Sequence, residues 1–207
     1  MKLKNRYFIL RHGQTIYQTE KKDFIYPSEA KGGEERMFFD YPPFPEKPPI
    51  KLTKKGEGQI KKIADLLKKK KIHLIYSSDF FRTKQTAGIV ARELGLKIIF
   101  DKRLRDINLG IYRGGMKEKF YQDFQKYSEK RFYKRPFRGE SWSDTRKRMT
   151  NFLKDIDKRY KGKKILVISH GDPLWLLEGA AKNWSIEKLL KIKMSKNYIK
   201  TGELRRL

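Results

Sequence analysis

Two short apolar runs in this chain stop in the same way. Tyr7-Phe8-Ile9-Leu10 gives out into Arg11-His12-Gly13, and Ile165-Leu166-Val167-Ile168 gives out into Ser169-His170-Gly171. With only three histidines in 207 residues, two of them standing just past apolar runs is the pattern that most constrains the fold. Apolar residues that run on without alternating mark strands covered on both faces, as in a parallel sheet between helices. Sites in such sheets open beyond the carboxyl ends of the strands. Placed side by side, the two runs would bring His12 and His170 together from opposite ends of the chain.

The stretches between them read as alternating helices and strands. Thr53 is positioned as an N-cap for a helix reaching about Lys70, with Ile60, Ile63, Ala64 and Leu67 on one face. Ile72–Tyr76 reads as a second strand, and Ser77-Ser78 as the cap of a helix from Asp79 to Leu94 stopped by Gly95. Lys97–Phe100 reads as a third strand, 101–116 as loop, and Lys117–Arg138 as a partly helical basic and aromatic segment. Ser141 with Asp144 has the form of a capping box for a helix whose stripe is Met149, Phe152, Leu153, Ile156 and Tyr160. Lys164–Ser169 is the fourth strand. Asp172 as N-cap with Pro173 at the first helical position opens the next helix, Ser185 a last one, and the tail from Asn197 supplies an edge strand. This order predicts a three-layer α/β/α sandwich around a mainly parallel sheet, as one domain over 1–207.

Two segments stand out from that frame. Residues 16–51 have no periodicity and hold Pro42, Pro43, Pro45, Pro48 and Pro49 among Phe24, Tyr26, Phe38, Phe39, Tyr41 and Phe44. So long an irregular insertion is expected to cover a site and shape substrate choice. From Tyr112 to Arg138, aromatic residues interleave with lysines and arginines. That pattern suits single-stranded nucleic acid, but equally a helical cap that draws in an anionic substrate, and the cap is the reading preferred here.

Composition narrows the chemistry. There are 51 basic and 24 acidic residues, a formal charge of +27, which favours anionic partners. The absence of cysteine excludes disulfides, thiolate metal sites and cysteine nucleophiles. No apolar run approaches the roughly 18 residues of a membrane span, and the run after the basic start is too short for a signal peptide. The expectation is a cytoplasmic protein with no membrane partner and no cofactor. No paired-histidine metal spacing and no Gly-x-x-x-x-Gly-Lys-Ser/Thr loop occurs. Asp155-x-Asp157 falls mid-helix, which argues against an aspartyl-phosphate enzyme.

A strand-end arginine and histidine suit phosphoryl chemistry. Arginine grips phosphate oxygens with a planar, permanently charged fork, and a neutral imidazole can attack phosphorus. Around that pair, further blocks follow in order: Leu52-Thr53-x-x-Gly56-x-x-Gln59; Ser77-Ser78-Asp79-Phe80-Phe81-Arg82-Thr83-Lys84-Gln85-Thr86-Ala87; Leu104-Arg105-Asp106 with Gly110 and Gly114; Gly139-Glu140-Ser141; and Ser169-His170-Gly171. With Arg11-His12-Gly13-Gln14-Thr15 they resemble the histidine phosphatase superfamily, which includes cofactor-dependent phosphoglycerate mutase.

The resemblance implies a phosphoglycerate mutase-like fold and a metal-independent phosphomonoesterase acting on a small phosphorylated metabolite. It makes His12 the nucleophile, Arg11 and Arg82 the phosphate grip, and His170 a stabiliser of the phosphoryl group. Asp106 stands where the family usually has a glutamate acid, so Glu140 and Asp172 remain alternative acids or supporting groups. Gln18 stands where an asparagine commonly assists the phosphate. His73 carries no motif and reads as structural or exposed. The short stretch from Gly114 to Gly139 lacks the extension of longer family mutases, which favours phosphatase over mutase. A nucleic-acid-binding or scaffold role on the same fold is the more distant alternative, and nucleic acid is not expected as the main partner.

Overall fold

The two apolar runs are adjacent strands at the centre of the sheet. In this computed structural model, which describes residues 1–19, 49–113 and 115–207, β1 (Arg6–Arg11) lies parallel to β4 (Lys164–Ser169) from Arg6↔Lys164 to Arg11↔Ser169. β2 (Leu74–Ser77) flanks β4 on its other side, and β3 (Ile98–Phe100) completes the parallel set. β5 (Leu204–Arg206) adds to β1 antiparallel, giving the order β3-β2-β4-β1-β5. The tail is thus the expected edge strand. Most of the proline-aromatic insertion, residues 20–48, lies outside the described residues.

Alternate side chains of the central strands feed two separate cores, which is why the sequence runs apolar without a break. Tyr7, Ile9, Ile165 and Val167 pack with Met149, Phe152, Leu153 and Ile156 of α5 (Trp142–Arg159) and with Leu174 and Leu177 of α6 (Gly171–Ala181). Leu10, Leu166 and Ile168 pack on the opposite face. Their partners there are Ile60, Ala64 and Leu67 of α2 (Lys54–Lys68) and Ala87 and Val90 of α3 (Phe81–Leu94). Each of the four fully buried side chains Ile165–Ile168 contributes about 1.5–3 kcal/mol, so β4 anchors all three layers. The remaining α-helices among the described residues are α1 (Ile16–Thr19), α4 (Lys117–Phe124) and α7 (Ile186–Met194).

Local signals held where a backbone group needed a partner. Thr53 caps α2 by accepting from the Gly56 N–H, Ser141 and Asp144 form the full capping box of α5, and Ser185 caps α7. Gly95 ends α3 in the left-handed region at φ 64°.

Four expectations shift. The second strand begins at Leu74 rather than Ile72, because pairing with β4 starts at Leu74↔Ile165. α3 begins at Phe81 rather than Asp79, with no side-chain cap. The Ser77 hydroxyl donates to the Ser78 carbonyl, Ser78 meets His170, and Asp79 pairs with Arg105, so none of the three is left to cap. α6 is entered from His170 as its N-cap, which places Asp172 second and Pro173 third; the Asp172 carboxylate turns instead to Trp142 and Lys193. Within 101–116, two short 3-10 turns, Lys102–Leu104 and Gly110–Tyr112, interrupt the expected loop.

The basic aromatic segment is partly helical, with α4 and a 3-10 turn at Glu129–Phe132. Phe120 and Phe124 bury against Leu109, Tyr112 and Tyr121, and Phe132 packs between Trp142 and Trp175. Tyr133 and Phe137 remain exposed. No helix among the described residues is long and apolar enough to cross a membrane.

Candidate active site

His12 follows β1 directly, and its backbone N–H donates to the Ser169 carbonyl at 3.1 Å. That bond continues the β1–β4 ladder by one residue and sets the His12 and His170 rings 5.5 Å apart between centroids. Register alone brings them together. Close approach of the following turn depends on glycine: a Cβ on Gly56 would stand 2.1 Å from the Gln14 carbonyl oxygen. The Gln59 side chain accepts from the Gln14 N–H at 3.1 Å, and Thr86 Oγ1 accepts from the Gly13 N–H at 3.2 Å. The blocks around Gly56 and Thr86 therefore brace the turn that carries His12.

His12 is 3% exposed. Its Nδ1 lies 2.8 Å from the carbonyl oxygen of Gly13. A carbonyl only accepts, so Nδ1 holds the hydrogen and the neutral ring keeps its lone pair on Nε2. Burial first, then the charges of Arg82 and Arg11 and the neighbouring His170, holds its pKa well below the ordinary imidazole range. Held so, the ring is uncharged at neutral pH, with its lone pair on Nε2.

His170 is fully buried behind the cavity wall, its pKa lowered for the same reasons: burial, then Arg82, Arg11 and Arg148. Its Nε2 is 2.9 Å from Ser78 Oγ, and the Phe80 ring meets it edge-on at 5.0 Å. Nδ1 has no hydrogen-bond partner and sits 3.6 Å from Asp106 Oδ2.

The two arginines arrive from different layers. Arg82, the second residue of α3, is 3% exposed, donates to Asp106 Oδ2 at 3.1 Å and lies over the Phe80 ring. Arg11, at the end of β1, donates to the Ile199 carbonyl at 3.1 Å, while its buried Nε has no partner. A Cβ on residue 171 would stand 3.0 Å from Arg11 Cζ, so Gly171 is what lets the guanidinium pass. An unpaired buried donor costs about 1–3 kcal/mol; the Arg11 Nε–H and an incoming anion would satisfy one another.

A cavity of about 240 Å³ opens here, lined by Arg11, His12, Gln18, Arg82, Asp106 and Asp172 together with apolar and aromatic side chains. Gln18 turns its amide oxygen to the Thr15 N–H and hydroxyl at 2.8 and 2.6 Å, which leaves its NH2 end as the donor on that wall. Tyr17, Lys117, Phe120, Tyr121 and Tyr198 also line it; Lys117, Phe120 and Tyr121 belong to the basic aromatic segment and Tyr17 to the insertion at 16–51, while nothing local in the sequence points to Tyr198.

The two alternative carboxylates are engaged elsewhere. Asp172 accepts from Trp142 Nε1 at 3.0 Å and from the buried Lys193 amine. Burial opposes its charge, yet Lys193 and Arg131 outweigh it and hold the carboxyl at about 2, too acidic to carry a proton at neutral pH. Glu140 is gripped through both oxygens by Arg148, at 2.7 and 3.0 Å, and is absent from the cavity wall. Of the three, Asp106 is the carboxylate that meets Arg82 and lies against His170. His73 is exposed, its Nδ1 accepting from the Lys164 N–H. No group of three or more His, Asp or Glu among the described residues is arranged to hold a metal ion.

A layered α/β sheet thus brings two buried strand-end histidines and two arginines together. The sequence model of the histidine phosphatase superfamily (branch 1) matches residues 44–203, and the chain belongs to that superfamily. Arg11 and His12 precede the matched range and join the site through the pairing of β1 with β4. Phosphoserine phosphatase 1 of Hydrogenobacter thermophilus is 31% identical over 128 residues, 59% of this chain and 60% of its own length. The match thus spans less than two thirds of that relative. A probable phosphoglycerate mutase GpmB of Escherichia coli is 30% identical over 179 residues, 82% of this chain and 71% of its own length. Among solved structures, Bacillus stearothermophilus YhfR superposes with a TM-score of 0.74 at 23% identity, covering 98% of this chain and 90% of its own. A mycobacterial glucosyl-3-phosphoglycerate phosphatase gives 0.73 at 21%, covering 98% and 92%. At those identities the likeness is one of fold.

Proposed function

We propose that the chain is a phosphomonoester phosphatase, a single histidine phosphatase domain acting on a small phosphorylated metabolite through a phosphohistidine on His12. The observation that carries this is a buried, neutral His12 with Nδ1 tied to Gly13, between Arg11 and Arg82 on the wall of one cavity. In the first step the Nε2 lone pair attacks phosphorus, the bond to the ester oxygen breaks, and Asp106 in its acid form gives that oxygen a proton. Water then attacks the phosphohistidine, its proton passes to Asp106, and inorganic phosphate leaves with His12 again neutral. Arg11 and Arg82 hold the phosphoryl oxygens, with the Gln18 NH2 as a further donor. His170, through its unpartnered Nδ1, stabilises the phosphoryl group in flight. The segment 112–138 serves as the cap, with Lys117, Phe120 and Tyr121 meeting the leaving group.

The test is phosphate release, with chelator present, from a panel that includes phosphoserine, 3-phosphoglycerate and glucosyl-3-phosphoglycerate. Acid-labile label on His12 in a quenched turnover, absent in His12→Ala, is the expected companion result. Full activity in His12→Ala would sink the mechanism. The likeness to a probable phosphoglycerate mutase keeps one rival: interconversion of 3- and 2-phosphoglycerate without phosphate release would establish mutase in place of phosphatase.

A further inference from the structure

The acid carboxylate stands on an irregular segment. Asp106 follows a 3-10 turn and precedes Ile107-Asn108-Leu109, with no regular element to fix it. General acid catalysis needs heavy atoms placed within hydrogen-bond reach of the leaving oxygen, so some group must hold this loop. Arg148, mid-way along the rigid α5, reaches it with every donor it has. Its Nη1 donates to the carbonyls of Arg103 and Arg105 at 2.6 and 2.8 Å, and its Nη2 to the carbonyl of Asp106 itself at 2.9 Å. Its Nε and the second Nη2 hydrogen go to the two oxygens of Glu140 at 2.7 and 3.0 Å. Those five bonds use all five guanidinium N–H groups.

Glu140 closes the same ring from the other side. Its Oε2 accepts from the Asn108 N–H at 2.9 Å, and its own N–H donates to the Asn108 carbonyl at 2.7 Å. The backbone on either side of the acid is therefore clamped, to Arg148 at residues 103–106 and to Glu140 at 108. The clamp is itself anchored, since Ser141 beside Glu140 caps α5. The carboxylate is aimed by what the clamp leaves over: Oδ1 accepts from the Ile107 N–H at 3.0 Å, and Oδ2 faces Arg82 and His170.

We infer that Arg148, with Glu140, is the positioning pair of the proton-delivery step, holding the Asp106 loop so that its carboxyl meets the leaving oxygen. The inference rests on the reading of Asp106 as the acid. Lysine cannot replace Arg148, because an ammonium has three donors on a flexible stem and cannot span three carbonyls and a bidentate carboxylate.

The test compares kcat/KM for phenyl phosphates with leaving groups ranging from phenol to p-nitrophenol, in the full chain. A misplaced acid slows only those reactions that need a proton on the departing oxygen. For Arg148→Lys the expected loss is about 10- to 100-fold on phenyl phosphate. On p-nitrophenyl phosphate it should be less than about threefold, so the slope against leaving-group pKa steepens. Equal losses across the series in a variant that melts near the wild type would overturn the inference. Should Arg148→Lys fail to fold, Glu140→Gln, which loses the paired charge but keeps the shape, must show the same steepening, and a flat series there refutes the pair. Asp106→Asn is the control: a flat series in it would remove the reading of Asp106 as acid, whereas a steep series in it beside a flat one in Arg148→Lys would remove only the role of Arg148. Combining the two substitutions should cost no more than Asp106→Asn alone, because both act on one step.

Discussion

The site should make the fold itself sensitive to mild acid. His12 and His170 are both fully desolvated and face Arg11 and Arg82, so the folded chain keeps both rings neutral well below the ordinary imidazole range. In the unfolded chain each titrates near 6.5. Above that value both states carry neutral rings and the pair contributes nothing to the pH dependence. As pH falls through it, the unfolded chain takes up protons that the folded chain refuses, and stability is lost. For one ring the loss is RT ln(1 + 10^(6.5 − pH)), about 1.4 kcal/mol at pH ~5.5 and about 0.1 at pH ~7.5. Two rings therefore cost at most about 2.7 kcal/mol across that interval, the full amount if both stay neutral in the fold at the lower pH, against the ~5–15 kcal/mol that holds a typical domain.

The carboxyls held low in the fold do not blur this window. Asp79, Asp144, Asp172 and Glu203 are lowered from ordinary carboxyl values of 3.8 to 4.5, so their contributions are lost only as pH falls through that range and below it. The assay is urea unfolding at the two pH values in phosphate-free buffer, on the wild type and on His12→Asn, His170→Asn and the double variant. Each single substitution should remove about half of the pH-dependent loss, and the double variant nearly all of it. A double variant that loses as much stability as the wild type between the two values would refute the claim that these rings are neutral in the fold.

Further outcomes follow from the same geometry. Arg82→Gln removes the positive charge that acts most strongly on His12, so the pKa read from ring NMR resonances should rise; no rise would remove Arg82 as a cause and leave burial with Arg11 and His170. Asp172→Asn strands the buried Lys193 cation and should cost about 3–5 kcal/mol in stability. The same variant should leave the leaving-group slope of kcat/KM unchanged, and a steeper slope would restore Asp172 as an acid. Gly171→Ala pushes against Arg11 at 3.0 Å and should weaken inhibition by inorganic phosphate about tenfold, roughly 1.4 kcal/mol; unchanged inhibition would mean that Arg11 is not part of the phosphate grip.

What could be read from the sequence was whatever local chemistry reports. Continuous apolar runs reported β1 and β4, turn and cap residues reported the helix ends, and a histidine just past each run reported the meeting point of both. Ser77 and Ser78 show the limit of that reading: as a pair before a helix they have the form of a cap, yet Ser78 turns to His170 and leaves α3 uncapped. Glu140 and Asp172 were open as acids because a carboxylate's partner is invisible in sequence. One is bound by Arg148 and the other by Lys193, two cations among 51 basic residues that nothing local distinguishes. Arg148 sits mid-helix, where a solvated arginine is the ordinary expectation, and its meaning comes entirely from three carbonyls more than forty positions away. The proposed phosphoryl end of the site is thus written in short motifs, while the group inferred to aim its acid is written only in the packing of α5 against the loop.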